Sequence, residues 1–232
     1  MPIHLVFDLL SSALAFAVTL LTYRYAPKGT FDVVNASVGP GYVVALVLGA
    51  IGGGYGFGTL NLMASGVPGL GRSTLGALAG AIAGVEGFKA VRGVTRSTGL
   101  IFVVGFSTSI ALGRIGCFLA GMEDHTYGIA TTLPWGHDFG DGVLRHPVQL
   151  YEAASMAVFL GYALFAIAQR DTGFTARGFY LMVGFYAGQR FLWEFLKPYG
   201  TVVGPFNVFH LLCLALIAYS CFMILRTAHA DA

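Results

Sequence analysis

Two arginines stand where arginine is least expected. Arg114 lies within GFSTSIALGRIGCFLAG and Arg190 within MVGFYAGQRFLWEF, both otherwise apolar. A cation inside a spanning helix costs roughly 2.5–3.5 kcal/mol on insertion scales, so each must face a partner, a bundle interior or a polar ligand. Arg190 has Glu194 four residues on, which places the two on one helix face. Arg114 has no carboxylate within a turn, and Glu152 is its long-range candidate. Two readings stay open: ion pairs that fix a helix bundle, or an anion site. The planar guanidinium fork suits phosphate oxygens, and the phosphate most abundant in a membrane belongs to lipid headgroups.

A third group is the run Arg145-His146-Pro147-Val148-Gln149-Leu150-Tyr151-Glu152. Proline is favoured at the first helical position, which puts His146 at the cap and turns a helix N-terminus toward the preceding polar stretch. Free N–H groups and the helix dipole favour an anion there. Gln149 and Glu152, three apart, share a face. An anion cradle and a plain polar cap both fit. Glu86 and Lys89 form a further pair that reads as an interfacial ion pair near one end of a helix.

The elements that carry these residues follow from composition. Of 232 residues 56% are hydrophobic and 10% charged. Soluble domains sit near a quarter charged, so this chain lacks the polar surface a soluble domain needs. A spanning helix takes roughly 20 mostly apolar residues. Seven such segments are visible, at roughly 3–23, 39–62, 73–91, 98–121, 148–168, 176–197 and 204–226. The first is read as a retained helix rather than a cleaved leader. The expected class is therefore all-α, a polytopic membrane protein of about seven transmembrane helices in one membrane-embedded domain over 1–232.

Small residues let membrane helices approach closely. Gly49, Gly52, Gly53, Gly54, Gly56 and Gly58 crowd the second segment, and Gly76, Gly80 and Gly84 repeat every four residues in the third. With the N-terminus outside, Arg24, Lys28, Lys89, Arg92, Arg96, Arg170, Arg177 and Arg226 fall on the inner side. Only Arg72, Arg145 and Lys197 then fall outside, which the positive-inside rule favours. The longest connection, 122–147, then lies on the outer face and carries Glu123, Asp124, Asp138, Asp141, His125 and His137. Its spacings match no strong metal motif, and no metal or cofactor is expected. Cys117, Cys213 and Cys221 read as structural thiols. No cationic cluster suits nucleic acid.

Three spaced blocks then resemble one family. Gly113-Arg114-Ile115-Gly116-Cys117-Phe118-Leu119-Ala120-Gly121 resembles the signature of the prolipoprotein diacylglyceryl transferases, as do Tyr127-Gly128 and Leu133-Pro134-Trp135-Gly136. Residues 145–152 are similar to the family's RHPxQLYE block, and Arg190 with Glu194 looks like its late arginine-bearing helix. The resemblance implies a seven-helix enzyme of the bacterial inner membrane with its site facing the periplasm. It implies transfer of a diacylglyceryl group from phosphatidylglycerol to a cysteine thiol of a prolipoprotein signal peptide, releasing glycerol 1-phosphate. On that basis Arg114, Arg190, His146 and Glu152 are the expected catalytic residues. Arg145, Gln149, Tyr151, Glu194, Tyr127, Gly113 and Gly121 are the expected substrate-binding ones.

The chain also departs from the family. Where the family carries a histidine and two glycines in its third helix, this chain reads Leu75-Gly76-Ala77, and Cys117 and Ala120 replace two asparagines. Arg114 and Arg190 would bind the phosphate and stabilise charge on the leaving oxygen. A thiol must lose its proton to attack, and His146, with an ordinary pKa near neutral, is the candidate base. Glu152 or Glu194 would orient an arginine. The alternatives are a transferase of this kind with another acceptor, and a non-catalytic phospholipid-binding or transport protein.

Overall fold

The computed structural model describes residues 2–230 and is almost wholly helical. Seven long helices fall on the seven apolar segments: α1 (Pro2–Tyr25), α3 (Pro40–Ala64), α4 (Thr74–Arg92), α5 (Leu100–Ala120), α6 (Val148–Ala168), α7 (Thr172–Glu194) and α8 (Val208–Ala230). A short α2 (Asp32–Ser37) was not anticipated. Local chemistry sets the ends. Ser73 accepts from the Gly76 N–H and caps α4, Gly93 closes it in the left-handed region, and Asp171 accepts from the Phe174 N–H to cap α7.

Six of these helices are long and apolar enough to cross a membrane: α1, α3, α4, α5, α6 and α8. α7 is 23 residues long but carries Arg177, Gln189, Arg190 and Glu194, and it is the long helix outside that group. Large apolar side chains such as Phe16, Leu48, Val158, Phe165 and Phe222 are exposed along the spanning helices, as a lipid-facing surface requires. The chain is a multi-pass, all-α membrane protein.

It forms two compact units. The first takes the chain up to Phe31 and then Gly99–Pro198; the second takes Asp32–Thr98 and the chain from Tyr199. In the first unit α5 is central, packing on α1, α6 and α7. In the second, α3 lies along α4 and both touch α8. The α3–α4 seam is backbone against backbone. A methyl added at Gly49 would overlap the Gly80 carbonyl, one at Gly53 the Gly76 carbonyl, and one at Gly84 the Ala45 carbonyl. The four-residue glycine repeat is the face that makes this approach possible. Leu75 is fully buried in the same unit. Lys89 donates to Glu86 at 2.8 Å, but Lys89 is buried and the Tyr219 hydroxyl donates to the same Glu86 oxygen at 3.0 Å. The pair thus has a shielded ammonium and a carboxylate that stays about one-third exposed (33%), the ion pair its sequence position suggests.

Candidate functional site

The site lies wholly in the first unit, at one end of α5, α6 and α7. Arg114 stands six residues before the end of α5, Glu152 four residues into α6, and Arg190 four before the end of α7. At 1.5 Å rise per residue each is about 6–9 Å inside its helix end. All three are buried, and Glu152 joins them. Its Oε2 is 2.8 Å from Arg114 Nε and 2.9 Å from Arg190 Nη1. Arg190 Nε donates to Glu194 Oε2 at 3.0 Å, the i,i+4 pair that spacing anticipates. Glu152 is therefore the long-range partner that Arg114 lacked locally. Its carboxylate also sits near the start of α6, where the helix dipole favours negative charge.

Sequence reasoning missed the fifth member. Lys197 was placed among the outward-side cations, yet its side chain is fully buried, with Nζ 2.6 Å from Glu152 Oε1 and 3.7 Å from Glu194 Oε2. The signal was its spacing, three residues past Glu194, which a helix continuing through Leu196 would bring onto the same face. The turn persists: the Lys197 N–H donates to the Glu194 carbonyl at 3.2 Å.

These five side chains set three cations against two carboxylates. Arg114 meets Glu152 through Nε, and the nearest partner of its outer nitrogens is the Cys117 sulfur, 4.0 Å from Nη1. Three nearby side chains carry buried polar atoms without a hydrogen-bond partner. Gln149 is fully buried on the α6 face of Glu152, and neither atom of its amide meets a hydrogen-bond partner. The amide of Gln189, beside Arg190, and the Trp193 indole N–H are also buried and unmatched. Buried polar groups are paired in the great majority of cases, so such atoms near one charged cluster point to a polar ligand. The sequence reading did not single out Gln189 or Trp193.

His146, Tyr151, Arg145 and Tyr127 form a second layer outside the cluster. α6 starts at Val148 with Pro147 as its cap, so His146 precedes the cap by one residue rather than forming it. The His146 Nδ1 lies 3.3 Å from the Tyr151 hydroxyl, which also accepts from Trp135 Nε1 at 2.8 Å. The Tyr151 ring meets Trp193 at a tilt of 50°, centroids 5.2 Å apart. The Arg145 guanidinium lies over the Tyr127 ring at 5.2 Å and donates to Asp141 Oδ2 from Nη2 at 2.6 Å and from Nε at 3.1 Å. Through those hydrogen bonds Arg145 holds the Asp141 carboxyl below the usual carboxylate range.

The 122–147 connection is held by backbone pairing. β1 (His137–Asp138) runs antiparallel to β2 (Leu144–Arg145), and Gly140 and Gly142 turn between them at positive φ while Asp138 accepts from both N–H groups. The Gly128 N–H donates to the His146 carbonyl at 3.1 Å, and the Ile129 N–H to the Leu196 carbonyl at 2.7 Å. The connection is thus tied at both His146 and the turn that delivers Lys197. Of the two glycines expected to bind substrate, Gly121 has a backbone requirement and Gly113 has none. Gly121 ends α5 at φ 70°, and Gly113 faces Ser11 at ordinary contact distance. Among the described residues no three His, Cys, Asp or Glu side chains group to hold a metal ion, and Cys117, Cys213 and Cys221 form no disulfide.

Comparison with known proteins places the chain in a family. The family model described as prolipoprotein diacylglyceryl transferase matches residues 8–226. The chain is similar to the phosphatidylglycerol–prolipoprotein diacylglyceryl transferase of Geobacter sulfurreducens, 38% identical over 109 residues that cover 44% of this chain and 40% of that protein. It is 40% identical over 114 residues to the enzyme of that name from Nitratidesulfovibrio vulgaris (45% and 41% covered), and 32% over 130 residues to that of Campylobacter jejuni (51% and 46%). In each case the match spans less than half of the relative's own length. No solved structure matches the chain. With the family model running almost end to end over a buried Arg-Glu cluster carried by the expected blocks, the chain belongs to the prolipoprotein diacylglyceryl transferase family.

Proposed function

We propose that this chain transfers the diacylglyceryl group of phosphatidylglycerol to the lipobox cysteine of prolipoproteins, releasing glycerol 1-phosphate. The observation that carries the reading is the excess of cation over carboxylate in a buried cluster, with the outer fork of Arg114 facing no carboxylate. Taking charge out of water is costly, and an uncompensated buried charge costs most. One lipid phosphodiester, a monoanion, balances the cluster. Arg114 and Arg190 bind its oxygens, while Glu152 and Glu194 hold the two guanidinium planes. The free amide of Gln149 supplies a donor and an acceptor for the glycerol hydroxyls.

In the reaction the thiolate sulfur forms a bond to the terminal glycerol carbon of the diacylglyceryl group. The carbon–oxygen bond to phosphate breaks, and its electron pair leaves with glycerol 1-phosphate. The arginines favour this step by stabilising charge on the leaving oxygen. His146 takes the thiol proton. That role needs the tautomer whose Nδ1–H donates to the Tyr151 hydroxyl, leaving Nε2 to accept. Trp135, bound to the same hydroxyl, helps fix that ring. Arg145 and Tyr127 line the approach of the peptide. The relatives' names speak of phosphatidylglycerol and prolipoprotein, which supports both substrates.

In this reading the protein resides in the bacterial inner membrane with its N-terminus outside and C-terminus in the cytoplasm. α7 is the seventh crossing, its charges shielded by the cluster, and the site opens on the outer face. A second reading keeps the lipid but changes the acceptor, because Leu75 stands where the family has a histidine. One experiment separates them. Purified protein is incubated with labelled phosphatidylglycerol and a lipoprotein-signal peptide, and the peptide is weighed by mass spectrometry. A mass gain of one diacylglyceryl group is expected. Consumption of the lipid without peptide modification favours another acceptor, and no consumption contradicts the transferase reading.

A further inference from the structure

The anion reading leaves one cation of the cluster without a task. Lys197 does not need to meet the lipid: its ammonium is already held between Glu152 Oε1 and Glu194 Oε2, and its side chain is wholly shielded. The geometry divides the labour. Glu152 Oε2 takes both arginines, while its other oxygen takes Lys197. Glu194 Oε2 takes Arg190 and faces Lys197 as well. Without Lys197, two carboxylates would cancel two guanidiniums and leave no net pull on an anion.

We propose that Lys197 is a positioning residue that sets the charge of the lipid site: by offsetting one of the two carboxylate charges of Glu152 and Glu194 it leaves the arginines one net positive charge for a single phosphodiester. The proposal rests on the anion reading of the cluster and extends it to lipid selectivity. A site with one net positive charge matches a headgroup with one net negative charge. Neither carboxylate of the cluster is left over for the ammonium of a zwitterionic headgroup. A compact ammonium on a flexible stem suits this task, since it can sit between two carboxylates without competing with the planar forks for phosphate geometry.

The test compares lipid binding, not turnover, by native mass spectrometry of the full chain titrated separately with phosphatidylglycerol and phosphatidylcholine. The wild type should prefer phosphatidylglycerol. Lys197→Met should lose roughly ten- to hundredfold of that affinity, the worth of a charge-assisted contact, and leave phosphatidylcholine binding unchanged. Lys197→Arg should retain the preference. The decisive variant is Glu194→Gln with Lys197→Met, which restores the net charge without restoring the lysine, and should recover most of the loss. A purely structural lysine would show no such rescue. If the wild type prefers phosphatidylglycerol and Lys197→Met does too, or if the double variant binds no better than the single one, the proposal is wrong while the anion site stands. Failure of both the single and the double variant to fold would also overturn it, by making Lys197 a structural residue. A wild type without preference would remove the anion reading and this proposal together.

Discussion

The two compact units solve helix packing in opposite ways. In the second, α3 and α4 meet through glycines, carbonyl against Cα. In the first, the ends of α5, α6 and α7 meet through two arginines, a lysine and two glutamates. The glycine seam itself is built of close backbone contacts, which small residues make possible, so packing explains it. The ionic cluster desolvates five charges, and apolar side chains of similar volume often hold helices as well or better. Stability alone does not account for such a cluster. The second unit's own ion pair sharpens the contrast: Glu86, Lys89 and Tyr219 match one acid with one base and a hydroxyl. Among the five members of the first unit's cluster, cations outnumber carboxylates by one.

The largest expected effect falls on Arg114. Arg114→Ala should reduce transfer by at least about 10²–10³-fold, the usual cost of removing a group that stabilises a developing oxyanion. It should still insert and fold, because Glu152 keeps Arg190 and Lys197. Arg114→Lys should also fail substantially, since one ammonium cannot serve both Glu152 and a phosphate fork. Near-normal turnover in labelled-lipid assays would make Arg114 a structural charge, and aggregation would favour the ion-pairing role. His146→Ala should come next, losing roughly 10²–10⁴-fold at neutral pH. Partial recovery near about pH 9 is expected, where more thiol ionises unaided. An unchanged rate and pH profile would exclude it as the base.

On the other side of the comparison, Gly80→Val should push a branched side chain into the Gly49 carbonyl. Overpacking of this kind costs typically 1–3 kcal/mol, read as a lower thermal midpoint. The chain that remains folded should bind phosphatidylglycerol as before. A large loss of lipid affinity at full stability would blur the division between the two regions. The smallest effect belongs to Asp141. Arg145 holds its carboxyl low, so their pairing is present above the ordinary carboxylate range and lost as pH falls through the lowered value. Asp141→Asn should leave the thermal midpoint nearly unchanged and remove that acid dependence from amide exchange at Val143, whose N–H donates to Asp141.

The sequence carried the helices well because lipid demands long apolar runs, and the seven segments appear within a few residues of their expected ends. α2 escaped because six residues leave no periodic signal. The pairing of Arg190 with Glu194 was legible from spacing, and Arg114 with Glu152 from the need of a buried charge for a partner. Lys197 was not, because a lysine just past an apolar segment reads as a snorkelling end charge until the fold buries it. Gln149 was legible as a residue on the Glu152 face, but its unmatched amide was not, since satisfaction depends on neighbours distant in the chain. Gly121 carries a backbone demand that its motif did not reveal, a positive φ at the end of α5.

The central claim is that the cluster holds a lipid phosphate. Solid-state NMR tests it most directly, through the ³¹P–¹⁵N dipolar coupling between phosphatidylglycerol and arginine guanidinium nitrogens in the labelled protein. The account predicts a coupling that corresponds to hydrogen-bond contact, strongly reduced in Arg114→Lys. A wild-type protein that binds the lipid but shows no such coupling would contradict it.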